Sequence, residues 1–89
     1  MGVIGSTATF TVEASGEGLS YQWQYSKDGG NTWKNSSSAG YDTASISIKV
    51  TEARDGQMYR CVVTSDGGSA TSDAATLYVD YQEDQFEIN

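Results

Sequence analysis

Eighty-nine residues with twelve acids, five bases, no histidine, no proline and one cysteine carry a formal net charge of −7. A chain this short supports one small domain, and its acidity disfavours partners held through phosphates, because counterion release needs clustered Lys and Arg. A lone thiol forms no internal disulfide, and without His or a Cys pair the sequence builds no transition-metal site.

Period-two alternation recurs along the chain, and no helical pattern outlasts a turn, so the expected class is all-β. Val3 and Ile4 offer a short first strand. Ala8, Phe10, Val12 and Ala14 then alternate with Thr9, Thr11 and Glu13, giving a strand with one buried face that SGEG (15–18) ends. Leu19, Tyr21, Trp23 and Tyr25 alternate with Ser20, Gln22 and Gln24, so the inward face of the next strand is aromatic.

SKDGGNTW (26–33) reverses the chain, and TWK reads as the return strand of a hairpin. Taken as Ser26, Asp28, Gly30, Thr32 and Trp33, this stretch resembles the Asp-box, a turn motif that recurs around the propellers of sialidases and related glycan-active enzymes. A propeller needs a longer chain and repeated copies of the motif, whereas here it occurs once. The expected role is turn formation: the Asp28 carboxylate accepts backbone N–H bonds, and Gly29 and Gly30 permit positive φ. Glycan contact is the alternative. Trp33 is expected to pack back over the hairpin, with an exposed edge as its alternative.

NSSSAGYD (35–42) is polar, has little capacity for burial and should be the loosest segment. Ala44, Ile46, Ile48 and Val50 line one face of the following strand, and TEARDGQ turns the corner after it. In the strand from Met58 to Ser65, Tyr59, Cys61 and Val63 share one face while Met58, Arg60, Val62 and Thr64 share the other. SDGG makes a tight turn, and residues 70–79 read as one last long strand with Leu77 and Val79 in the core. Beyond it, Asp80, Glu83, Asp84 and Glu87 appear without a base. The domain is therefore expected to span residues 1–79, with 80–89 an acidic linker and the start of a following module; residues 82–89 are expected to be disordered or loosely docked.

About seven strands at spacings of eight to twelve residues suit an antiparallel two-sheet sandwich. Trp23 falls eleven residues after Val12, and Tyr59 falls two before Cys61 within Asp55-Gly56-Gln57-Met58-Tyr59-Arg60-Cys61. Over residues 3–79 this pattern resembles the immunoglobulin superfamily, closest to the Ig-like domains repeated in bacterial cell-surface and secreted proteins. The resemblance implies that Trp23 is the buried tryptophan of the third strand and that Tyr59 is a corner residue whose hydroxyl bonds an upstream backbone group. Gln57 departs from it by standing where a small residue is usual, and Val12 by standing where the first disulfide cysteine would be. Cys61 then packs as a small hydrophobe beside Val12 and Trp23. Apolar packing must replace the ~2–4 kcal/mol that a disulfide typically contributes.

Function is less legible. Asp28, Asp42, Asp55, Asp66 and Asp73 all fall in turns, where Asp is common for conformational reasons, and nothing selects a catalytic pair or builds a pocket. No spacing resembles a calcium loop. Neither enzymatic activity nor a cofactor nor a metal is expected. Tyr25, Trp33 and Tyr41 are the candidate ligand-binding residues, because flat aromatic faces stack on pyranose rings; alternatively Tyr25 belongs to the inward face, and Trp33 and Tyr41 cover the sheet edge.

The expected role is a non-catalytic spacer and interaction module of a larger bacterial surface or secreted protein, cell-wall-associated or free, with its termini at opposite ends. Its partners would be the neighbouring domains of that protein. The alternative is a carbohydrate-binding or adhesin module using these aromatics and the loops at 35–42 and 65–69, with a cell-surface or host glycan or protein as partner. Nucleic acid is not an expected ligand. No apolar run approaches the ~18 residues of a membrane span, so no membrane insertion by this segment is expected. MGVIGSTATF shows neither the basic n-region nor the long apolar h-region of a signal peptide.

Overall fold

A computed structural model describes residues 2–80. The tail from 81 to 89, and with it the expectation about residues 82–89, lies outside the described residues. TATFT and SISIK place β-branched side chains at every second position, which favours extended backbone. They form β2 (Thr7–Thr11) and β5 (Ser45–Lys49), paired antiparallel from Thr7 opposite Lys49 to Thr11 opposite Ser45. This register sets Ala8 beside Ile48 and Phe10 beside Ile46.

The second antiparallel sheet is built on β3 (Ser20–Ser26) and β6 (Met58–Ser65), paired from Ser20 opposite Thr64 to Ser26 opposite Met58. β4 (Lys34–Asn35) flanks β3, while β7 (Gly68–Thr71) and β8 (Ala75–Thr76) both pair with β6. One 3-10 turn, Glu52–Arg54, separates β5 from β6. No helix among the described residues is long and apolar enough to cross a membrane.

Alternation in β3 and β6 brings Tyr21 opposite Val63, Trp23 opposite Cys61 and Tyr25 opposite Tyr59, all on one face. That face meets Ile46, Ile48 and Val50, and the Phe10 ring stacks on Tyr59 with centroids 5.2 Å apart. Trp23, Ile46, Ile48, Val50, Tyr59, Cys61, Leu77 and Val79 are all buried, so the two sheets share one core. A buried polar group needs a partner; the Trp23 indole N–H has one, donating to the Thr43 carbonyl at 2.8 Å. Val12 is half-buried and packs against the core. Cys61 is a free, buried thiol whose pKa burial pushes up.

The chain departs from the sequence expectations in several places. Residues 70–79 do not form one strand: β7 ends at Thr71, β8 (Ala75–Thr76) is two residues long, and β9 (Val79–Asp80) begins only after a second break at 77–78. Ser72 explains the break, because its hydroxyl accepts the Cys61 N–H at 2.9 Å, and a side chain thus replaces a backbone acceptor in the ladder. Leu77 is then clamped to the corner, donating to the Gln57 carbonyl and accepting from Gly56 N–H, both at 2.8 Å.

The strand expected to reach Ala14 stops at Thr11, and Ala14 is exposed, because its partner β5 begins only at Ser45. The return strand of the hairpin starts at Lys34, leaving Trp33 outside the ladder. Nor is the 35–42 segment loose. Ser36 is buried and donates its N–H to the Trp23 carbonyl, Tyr41 accepts from Trp23 N–H, and Ala39 accepts from Ser47 N–H, each at 2.8 Å. The segment therefore bridges the edges of the two sheets, which its polar composition concealed.

The Tyr59 hydroxyl bonds no backbone group; it donates to Gln57 Oε1 at 2.9 Å. The side chain at the position where a small residue was expected is the acceptor. Finally, β1 (Gly2–Val3) pairs in parallel with β9, Gly2 opposite Val79 and Val3 opposite Asp80. The described ends of the chain thus lie side by side rather than at opposite ends. A parallel pair, however, runs both strands in one direction.

Candidate functional site

The turn between β3 and β4 is held by its own side chains. Ser26, almost fully buried, accepts the Gly30 N–H at 2.8 Å and donates to Asp28 Oδ1 at 2.8 Å. Asp28 Oδ1 also accepts Thr32 N–H at 2.9 Å, and Oδ2 accepts the Thr32 hydroxyl at 2.6 Å. Gly29 and Gly30 adopt φ of 74° and 93°, values that only glycine takes without strain. The Thr32 hydroxyl first, then the Thr32 N–H and the Ser26 hydroxyl, hold the Asp28 carboxyl down at a pKa of about 2. Both oxygens of this carboxylate are engaged inside the turn.

Trp33 follows directly. Its indole N–H donates to the Gly30 carbonyl at 3.1 Å, and the Arg60 guanidinium carbon lies 4.1 Å from its ring. Arg60 is steadied in turn by Gln24 Oε1 at 2.9 Å, and Gln24 Nε2 reaches Asn35 Oδ1 at 3.1 Å. Because Gln24 and Arg60 alternate with Trp23, Tyr25 and Tyr59, this half-buried indole covers the outward face of the sheet. Tyr25 is on the inward face. Tyr41 is exposed at the β3 edge, where its carbonyl receives the Trp23 N–H. The three candidate aromatics therefore form no common platform.

Tyr25 instead opens onto a cavity of about 510 Å³ at the Tyr59 end of the core. Its lining includes Lys27, Ser36, Arg54, Gln57 and Tyr59. Lys27 Nζ stands 5.9 Å from the Tyr25 ring centroid, and Arg54 Nη1 donates to the Lys49 carbonyl at 2.7 Å. Burial raises the Tyr59 phenol pKa against the opposing charge of Arg54, so the hydroxyl remains a donor. Asp55 also lines the cavity, but its Oδ1 accepts the Val79 N–H at 3.1 Å. The chemistry on offer is positive charge, hydroxyls and an aromatic ring.

A second cavity, about 490 Å³, lies at the other end between Val12–Ser15 and the β6–β7 hairpin, and no base lines it. Among the described residues no group of three metal-ligating side chains occurs. Sequence reasoning missed Lys27, Ser36, Arg54 and Gln57 as neighbours. Gln57 alone left a signal, as the departure from the Ig-like motif; the two cations are 27 positions apart and meet only because β3 and β6 pair.

Residues 3–81 match the family model of DUF8696, a domain of unknown function, and the chain belongs to that family. No curated protein and no solved structure matches the chain.

Proposed function

We propose that this DUF8696 domain is a non-catalytic, immunoglobulin-like sandwich that serves as a spacer and interaction module in a larger bacterial surface or secreted protein. Support for the fold comes from the β2–β5 and β4–β3–β6–β7 strand orders, with Trp23 buried opposite Cys61 and Tyr59 at the corner. One observation carries the spacer role: the parallel β1–β9 pair. Polypeptide attached at either end would enter and leave along one direction, so flanking modules would lie on opposite sides. Small-angle scattering of the domain with a fluorescent protein fused at each end tests this. An elongated particle with the reporters far apart is expected, and adjacent reporters would defeat the spacer reading.

The 510 Å³ cavity favours a second reading, a saccharide-binding module, because it joins a half-buried aromatic face to hydroxyls in a concave site. Tyr25 is the candidate aromatic that belongs to it. Trp33 does not, since it covers the outward face of the sheet beneath Arg60 and does not line the cavity.

A further inference from the structure

The charge within this cavity carries an inference about ligand class, one that rests on the saccharide-binding reading. We propose that it takes an acidic saccharide, a pyranose bearing a carboxylate. The chain has five bases and a net charge of −7, yet two of those bases, Lys27 and Arg54, line this one cavity. Among the described residues Arg54 bonds the Lys49 carbonyl rather than a carboxylate, which orients the guanidinium and leaves further N–H donors on it. The Lys27 ammonium stands over the Tyr25 ring, 5.9 Å from its centroid, so a cation and an aromatic ring line the same cavity. Asp55, the acid of the lining, turns Oδ1 to the Val79 backbone.

The neutral groups select for a sugar. Gln57 receives the Tyr59 hydroxyl on Oε1, which keeps its Nε2 for donation, and the serine hydroxyls at 36–38 both donate and accept. Ring hydroxyls of a pyranose need this mixture, whereas a simple carboxylate needs only the cations. The volume of about 510 Å³ falls in the range of small-molecule sites and accommodates one or two pyranose rings. The cavity at the opposite end has no base in its lining and supplies an internal control.

Amide NMR of the full chain, titrated separately with glucuronate, galacturonate, glucose and acetate, tests the assignment. Both uronates are expected to shift amides of Lys27, Ser36–Ser38 and Arg54–Gln57, with glucose and acetate each roughly tenfold weaker. Raising NaCl from about 50 to 300 mM should weaken uronate binding, because the pairing cations are near the surface. Lys27→Ala should weaken it roughly fivefold to tenfold at an unchanged unfolding midpoint; Arg54 also braces the corner, so Lys27 is the cleaner variant. Glucose binding as well as glucuronate would overturn the acidic class while sparing the saccharide reading. Acetate matching glucuronate would reduce the site to an anion site and overturn the proposal. Shifts with none of the sugars, or only around the Val12–Ser72 cavity, would sink both readings.

Discussion

Trp23 and Trp33 belong to opposite faces of one sheet, and the same side chain does two different jobs there. On the inward face the indole of Trp23 is 2% exposed, opposite Cys61, and its N–H crosses to the Thr43 carbonyl. On the outward face Trp33 closes a hairpin through Gly30 and is capped by Arg60. Trp23 is sealed by both sheets and by the bridging segment; Trp33 is held by one turn and one long side chain. An indole next to a turn motif invites a functional reading, but here it is an internal clamp of the turn. The cavity to which we assign binding lies instead at the Tyr25 end of the inward face, where the core meets water.

The sharpest way to break this contrast is truncation. Trp23→Ala is expected to cost about 3–5 kcal/mol, much of the stability of a domain this size, leaving urea melts without a cooperative baseline. Gly40→Ala should follow at about 2–4 kcal/mol. The glycine adopts φ of 86°, and a Cβ there would run into the Ser45 carbonyl oxygen and lie 3.2 Å from the Ile46 Cα. That loss would report how firmly the bridging segment holds the edge beside Trp23.

Trp33→Ala is expected to cost only about 1–2 kcal/mol, from half-burial and the lost Arg60 contact. If denaturation places it level with Trp23→Ala, the two faces are not different in kind. Tyr59→Phe comes next at about 0.5–1 kcal/mol. The partner that it orphans is a half-buried side chain on a cavity, which water can reach, rather than a sealed backbone carbonyl.

The smallest effect sharpens the comparison by pH. Asp28 has its folded pKa lowered from 3.8 to about 2. Its contribution is therefore present above the unfolded value and lost as pH falls from near 4 through about 2. Asp28→Asn should flatten the stability profile within that window, leaving the slope elsewhere unchanged; an unaltered profile would mean that the turn bonds do not persist in solution.

The amino-acid sequence by itself determined the all-β class, the faces of β3, β5 and β6, and the residues of the β3–β4 turn, because each of these depends on a local period or on contacts within a few positions. Tyr59 and Cys61 share a face by alternation alone, and Trp23 joins them through the β3–β6 register. Tertiary structure decided what local pattern cannot carry. The long final strand reads continuously, yet it breaks where Ser72 bonds Cys61, eleven positions away. The serine-rich connection reads as loose, yet it spans both sheet edges. Lys27 and Arg54 look like scattered surface charges until the β3–β6 register sets one turn beside one corner. Side-chain alternation is written into neighbouring residues, whereas the company that a loop keeps is set by pairing between strands far apart in the chain.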